Sequence, residues 1–350
     1  MKSRLLTALV ATLLGALIGE AAFRLLEPRL GVDRERLARF RDFVTTGGET
    51  ALYEPRPHVL YARPRGLPGV NSLGFSDDEP NMTKPPGVLR VACLGSSTTE
   101  GGNPQGREGS YPYFLKAAIE ARLKQPVEVL NFGMSGWTSA EEMVHYFLVV
   151  QDYAPDVVVI HEAPNDVEPR NWPGFRRDYS HYRRPWRELR YSAPYRLLAR
   201  WSDAFAAYAS RDASVFGLQA VVVRPPDGAF GFANGTLPPE TAAPFKRNVR
   251  TIADHVRWHG GRVLLATMPF DTARAETFPM FRAGLLDHNR ILRELAVADG
   301  LVLVDLEALA RRDPSPLRGM FLDLVHVTPQ GNRWKAERIA EALAAWPTAP

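Results

Sequence analysis

The chain has 350 residues, 45% of them hydrophobic and 23% charged, which is the composition of a folded globular protein and not of a disordered one. Its net charge of +4 rests mainly on arginine, because lysine occurs only six times, and no nucleic-acid-binding motif accompanies it. The single cysteine, Cys93, excludes an intrachain disulfide and a multi-cysteine zinc site. We therefore expect no nucleic-acid partner, and we expect Cys93, in an apolar run, to be a buried structural thiol.

The amino terminus has the pattern of an export signal. Lys2 and Arg4 precede a mostly apolar run from Leu5 to Ile18. We predict that residues 1–26 form an uncleaved membrane anchor and that the rest of the chain lies outside the cytoplasm. Two alternatives stay open, a cleaved signal peptide that leaves a secreted protein and an amphipathic helix packed on the domain. The arginines that follow do not fix the orientation.

Five short apolar runs, rich in β-branched residues, predict buried strands. They are Leu89–Leu94, Val127–Asn131, Val157–His161, Val263–Met268 and Leu301–Asp305. Segments with helical periodicity lie between most of them and after the last, namely Tyr113–Leu123, Ser139–Val150, Asn248–Trp258, His288–Ala298 and a final helix beginning at Thr328-Pro329. Strands that alternate with helices predict an α/β fold, a doubly wound, flavodoxin-like, five-stranded parallel sheet. A capping box from Ser139 to Glu142 is expected at the second of these helices.

Two regions do not fit this alternation. Residues 27–88 form an N-terminal extension rich in proline, arginine and glycine, with a turn at Asn71–Phe75. Residues 167–246 form an insertion after the third strand, dense in arginine and aromatic residues. The insertion is interpreted either as a helical subdomain packed by its own aromatics or as a lid or substrate wall. The remaining range, 89–346, is the predicted main domain.

In an open parallel sheet, ligands bind beyond the carboxyl ends of the strands, so the residues that follow each strand are informative. After the first strand, the run from Gly95 to Gly101 places Ser97 at a sharp turn before a helix, where it would serve as a nucleophile. A serine-rich helix cap and a phosphate cradle are the alternatives, although the lysine of a phosphate-binding loop is absent. After the second strand, a glycine such as Gly136 lets a backbone N–H approach a ligand closely.

The later strands add an amide and a histidine. Asn165 follows the third strand, where its side-chain amide would donate to the same ligand atom. His161, at the end of that strand, is read as a structural histidine. Beyond the fifth strand, Asp323 lies three residues before His326, so that a carboxylate can hold one ring nitrogen while the other accepts a proton from a serine.

Taken together and in this order, these four motifs resemble those of the SGNH (GDSL-like) hydrolase superfamily, over roughly residues 89–346. The resemblance implies an SGNH hydrolase fold with Ser97 as nucleophile, His326 and Asp323 as its partners, and an oxyanion hole formed by Ser97, Gly136 and Asn165. Two departures stand out. The usual Gly-Asp-Ser is Gly95-Ser96-Ser97 here, and the usual glycine two residues before the asparagine is Ala163.

The resemblance implies a serine esterase that cleaves acyl esters, such as O-acetyl groups on carbohydrate or envelope material, without a metal or organic cofactor. An O-acyltransferase using the same triad and a catalytically inactive envelope protein are the alternatives. The sequence does not determine the oligomeric state. His255 and His259 have the spacing of a metal-binding pair, but Val256 replaces the glutamate of the zinc-protease pattern, so we interpret them as ordinary surface residues.

Overall fold

The computed structural model describes residues 2–26, 53–63, 65, 68–101, 106–172, 174–183 and 237–346. The chain divides into two compact units, one containing residues 1–53 and 186–221 and the other containing residues 54–185 and 222–350. Much of the predicted extension (27–52) and of the predicted insertion (184–236) lies outside the described residues.

The first unit contains helix α1 (Lys2–Leu26), which extends beyond the predicted apolar run. Its described side chains from Val10 to Gly19 are exposed. Across the described ranges, no helix combines the length and apolar content needed to cross a bilayer. The membrane anchor therefore stays a prediction.

The second unit is built on a parallel sheet of five strands, and this confirms the α/β prediction. In chain order the strands are β1 (Leu89–Gly95), β2 (Val127–Gly133), β3 (Val157–His161), β4 (Arg262–Ala266) and β5 (Val302–Val304). Their spatial order is β2-β1-β3-β4-β5, the flavodoxin-like arrangement, with all neighbours parallel. The order reverses between β1 and β3, so the crevice for a ligand is expected at their carboxyl ends.

Helices cover both faces of this sheet, as the buried strands require. The helices of this unit are α2 (Ser97–Glu100), α3 (Tyr111–Leu123), α4 (Ser139–Leu148), α5 (Val167–Arg170), α6 (Ala243–Trp258), α7 (Thr272–Ala275), α8 (Pro279–Asp299), α9 (Leu306–Arg312) and α10 (Pro329–Ala345). On one face, α3 and α10 enclose a core that includes Val91, Cys93, Val159, Leu115 and Ile339. Helices α4, α6 and α8 pack on the other face.

Three helices begin earlier than the sequence periodicity predicts. Proline lies in the first turn of α3, α6 and α8, so each helix starts at or just before Pro112, Pro244 or Pro279. Proline favours this position because it lacks the N–H that would have no partner there. The predicted start of the last helix is confirmed, with Thr328 as N-cap and Pro329 as first helical residue.

The predicted capping box of α4 is wrong by one residue. The N-cap is Thr138, whose backbone N–H and hydroxyl donate to Glu141 at 2.7 and 2.6 Å. Ser139, the predicted cap, instead donates its N–H and its hydroxyl to the buried carboxylate of Asp166, at 2.7 and 2.6 Å. This contact with a residue distant in the sequence determines which residue is the N-cap.

The chain before the sheet includes a short antiparallel pair, Glu54–Pro55 with Tyr61–Ala62. The predicted turn after it is present: Asn71 accepts hydrogen bonds from the N–H groups of Leu73 and Phe75, and Gly74 adopts a φ of 89°. Both features belong to the same compact unit as the sheet. They place part of the N-terminal extension against the carboxyl end of β2 and the loop that follows it.

Candidate active site

The carboxyl ends of β1, β2 and β3 finish at one level, because Gly95 pairs with both Gly133 and His161. Ser97 begins α2 directly after β1, and this short helix lies against the end of β2. A Cβ atom at Gly133 would lie 2.3 Å from the backbone nitrogen of Glu100, so only glycine allows this approach. The serine is therefore placed by backbone contact with the neighbouring strand.

The structure brings Ser97, His326 and Asp323 together in one chain of hydrogen bonds. Ser97 Oγ lies 2.7 Å from His326 Nε2, and His326 Nδ1 lies 2.6 Å from Asp323 Oδ2. The other carboxylate oxygen of Asp323 accepts the backbone N–H groups of His326 and Val325, at 2.8 and 2.9 Å. A carboxylate on Nδ1 holds the proton there and leaves the Nε2 lone pair facing the serine hydroxyl.

Backbone pairing fixes the loop that carries this histidine. Phe321 and Val327 form an antiparallel bridge, and the N–H of Leu322 donates to the carbonyl of His326 at 2.9 Å. The carbonyl of Leu324 also accepts the N–H of Asp271, at 2.9 Å. The histidine side chain is 30% exposed, so the ring is held in place and still reachable from solvent.

Asp323 is ionised at neutral pH. Partial burial raises the pKa of this carboxyl group, but the hydrogen bonds from His326 and Val325 outweigh that effect and lower the pKa to about 2. A negative charge next to the imidazole stabilises its protonated form when the ring accepts a proton.

Gly136 and Asn165 also meet at this edge. Gly136 has a φ of 76°, a left-handed conformation that favours glycine, in the loop after β2. Asn165 Nδ2 donates to the carbonyl of Trp137, the residue after Gly136, at 2.8 Å. An amide nitrogen carries two hydrogens, so one holds this contact and the other is free to donate to a ligand.

The remaining histidines singled out in the sequence lie outside this cluster. His161 is buried, and burial lowers its pKa to about 3; its Nδ1 lies 3.2 Å from the carbonyl oxygen of Ala266. The rings of His255 and His259 lie 4.5 Å apart, and His255 also contacts Tyr146. In the described part of the chain, no group of three metal-ligating side chains is found.

Glu100, which the sequence analysis did not single out, is hydrogen bonded to several parts of the chain around the site. This buried carboxylate ends α2 and accepts the N–H of Ser135 at 2.9 Å, together with a short contact from the Ser135 hydroxyl. It also pairs with Arg63 and accepts the hydroxyl of Ser76 at 3.3 Å. The sequence feature that could have indicated this role is that Glu100 is the acidic residue in a turn whose other residues are small.

A second group of acids is buried beside Ser97. Glu162, after β3, accepts the N–H of Asn165 at 3.3 Å, and the buried side chains of Ser96 and of Glu142 on α4 lie beside it. Burial raises the pKa of both glutamates, and the charge of a neighbouring acid raises each further. Glu142 is therefore held in its protonated, uncharged form to a higher pH than an exposed glutamate.

Comparison with known proteins gave one family and a set of solved structures. The model of the GDSL-like lipase/acylhydrolase family matches residues 93–334. Comparison with curated proteins gave no match. The fold is similar to a lipase/acylhydrolase from Enterococcus faecalis, with 18% identity, 75% of this chain and 99% of that chain covered, and a TM-score of 0.44. It is also similar to an acetylxylan esterase from Geobacillus stearothermophilus, with 15% identity, 74% and 95% covered, and a TM-score of 0.46.

We expect the substitution Glu142→Gln to remove a pH dependence of stability. The folded-state pKa of Glu142 lies above its ordinary value of 4.5, so the unfolded chain releases this proton at a lower pH than the folded chain. The contribution of Glu142 to the free energy of unfolding therefore falls as the pH rises above 4.5, by up to about 1.4 kcal/mol per pH unit. Glutamine has nearly the same shape as glutamate and does not titrate. The melting temperature of the Glu142→Gln protein, measured by calorimetry, should therefore exceed that of the wild type by more at about pH 8 than at about pH 5.

The matched control is Glu337→Gln on α10, a partly exposed glutamate, which should melt with the wild type at both pH values. A melting-temperature difference between Glu142→Gln and the wild type that stays constant with pH would contradict the retained proton.

Proposed function

Because the chain belongs to the GDSL-like lipase/acylhydrolase family, and so is an ester-hydrolysing serine hydrolase, we propose that Ser97 is its nucleophile, His326 its general base and Asp323 the residue that orients the histidine. The observation that carries this proposal is the 2.7 Å contact between Ser97 Oγ and His326 Nε2. A serine hydroxyl is a weak nucleophile until a base is positioned to accept its proton.

In the acylation step, Ser97 Oγ bonds to the acyl carbon while its proton passes to His326 Nε2. The π electrons of the carbonyl move onto its oxygen, giving a tetrahedral oxyanion. When this intermediate collapses, the bond to the alcohol breaks and the alcohol takes the proton from His326. Asp323 stays ionised throughout and stabilises the imidazolium that forms between these two transfers.

The second step releases the acid. Water attacks the acyl group on Ser97 and gives its proton to His326; the new tetrahedral intermediate expels the serine oxygen, which takes that proton back. We propose that both oxyanions are stabilised by the N–H groups of Ser97 and Gly136 and by the second amide hydrogen of Asn165. Loss of one such donor typically costs about 10²–10³ in rate.

The substrate proposed is an O-acyl ester, such as an O-acetyl group, on carbohydrate or envelope material. The motif pattern read from the sequence supports this class, as does an amino terminus with the pattern of an export signal.

We further propose that the enzyme acts outside the cytoplasm, carried there by residues 1–26. The two basic residues Lys2 and Arg4, followed by the apolar run from Leu5 to Ile18, support this location.

The wild-type protein should be labelled by a fluorophosphonate probe, and Ser97→Ala should abolish the labelling and lower kcat by about 10⁴–10⁶-fold. The adjacent serine offers a matched control. Ser96→Ala should remain labelled, because Ser96 is fully buried and the hydroxyl that contacts His326 is that of Ser97. Absence of labelling in the wild type, or equal labelling of Ser97→Ala, would contradict a serine nucleophile at position 97.

Acyl selectivity tests the substrate class. With p-nitrophenyl esters of increasing chain length, kcat/KM should be highest for acetate, and acetate should be released from an acetylated polysaccharide. Adding an acceptor sugar should leave the acid as the main product. Formation of acylated sugar in place of the acid would show a transferase instead.

Location can be measured with alkaline phosphatase, which is active only outside the bacterial cytoplasm, fused after residue 26. An active fusion is expected, in the membrane fraction for an uncleaved anchor and in the medium or periplasm for a cleaved signal. An inactive fusion protein of full length would contradict export.

A further inference from the structure

The loop that carries Gly136 is held by a tyrosine from the N-terminal part of the chain. The hydroxyl of Tyr61 donates to the carbonyl oxygen of Ser135 at 2.8 Å, across 74 positions of sequence. Tyr61 is fully buried, and its own carbonyl accepts the indole N–H of Trp137 at 3.1 Å. The same residue thus binds the chain on both sides of Gly136.

The geometry of the peptide bond links this contact to the Gly136 N–H. The carbonyl of Ser135 and the N–H of Gly136 belong to one planar peptide unit and point in opposite directions. A donor fixed on the carbonyl oxygen therefore sets the direction of the Gly136 N–H. It also polarises the amide, which strengthens the N–H as a donor.

We propose that Tyr61 is a positioning residue for ester hydrolysis, because its hydroxyl holds the Ser135–Gly136 peptide with the N–H turned toward the oxyanion. This inference rests on the proposed function, in which that N–H stabilises the tetrahedral intermediate.

Glu100 and Arg183 also contact this loop, but they bind other peptide units than Tyr61 does. Glu100 fixes the N–H and hydroxyl of Ser135, and Arg183 donates to the carbonyl of Gly136 at 2.7 Å while it pairs with Glu141. These contacts act on the peptide units before and after the Ser135–Gly136 peptide. The donor on the carbonyl of that peptide is Tyr61.

Tyr61 lies outside the family-matched range, residues 93–334. It comes from the short strand Tyr61–Ala62, which pairs with Glu54–Pro55. The N-terminal extension therefore contributes a residue to the site.

The test is Tyr61→Phe, which removes only the hydroxyl. We expect kcat to fall by about 10- to 100-fold, no more than the roughly 100-fold lower bound for losing an oxyanion donor outright, while KM changes by less than about threefold. A boronic acid that forms a tetrahedral adduct on Ser97 should bind more weakly by the same factor. Replacing Tyr61 with 4-aminophenylalanine, which restores a donor, should recover most of the loss.

The matched control is Tyr146→Phe, whose hydroxyl contacts His255 Nδ1 on α6, and its kcat should equal that of the wild type. An unchanged kcat in a folded Tyr61→Phe protein would overturn the inference. So would an equal loss in Tyr61→Phe and its amino-phenylalanine counterpart, since that indicates a packing role.

A measurement on the wild type covers the case in which Tyr61→Phe does not fold. Formation of the boronate adduct should move the Gly136 amide proton downfield in the NMR spectrum, and an unmoved signal would overturn the inference. The proposed function fails separately: in that case the wild type hydrolyses no ester and Ser97 is not labelled by the fluorophosphonate.

Discussion

The buried carboxylate of Glu100 is the interaction on which the geometry of the site depends. Removing a charge from water costs several kcal/mol unless partners replace the water, so Glu100 is stable only with its donors in place. Those donors come from separate parts of the chain, with Arg63 and Ser76 before the sheet and Ser135 after β2. Since Glu100 also ends the helix that starts with Ser97, assembling this contact aligns the serine with the loop of Gly136.

The acids on the other side of Ser97 account for a departure from the family pattern. The family has aspartate where this chain has Ser96, and Ser96 is buried here beside Glu162 and Glu142, two carboxyl groups whose pKa values burial raises. A third carboxyl group at position 96 would place another negative charge among these buried acids and would raise the cost of burial. A serine hydroxyl fits because it is small and carries no charge.

The sequence predicted well those features that depend on order along the chain. Parallel strands end at one edge, so residues after β1, β2 and β3 were expected to meet there, and Ser97, Gly136 and Asn165 do lie in the loops at that edge. The pairing of Asp323 with His326 follows from a three-residue spacing and was equally accessible.

Features that depend on contacts between distant segments were not accessible in this way. The cap of α4 shifts by one residue because Ser139 is bound by Asp166, 27 positions away, and no local pattern contains that information. Tyr61 and Glu100 were missed for the same reason. The extension that contains Tyr61 does not fit the alternation of strands and helices, and its composition gives no sign of a contact with the loop after β2.

The second departure, Ala163 in place of glycine, lies in a segment whose backbone is fixed by hydrogen bonds. The carbonyl of Ala163 accepts the Nδ1 hydrogen of His288 at 2.8 Å, and burial keeps that histidine neutral by lowering its pKa to about 3. The next residues are then fixed by the bond from the Asn165 N–H to Glu162 and by the bond from its side chain to the carbonyl of Trp137. Because that carbonyl belongs to the residue after Gly136, the two proposed oxyanion donors are held by one network, and displacement of either loop moves both.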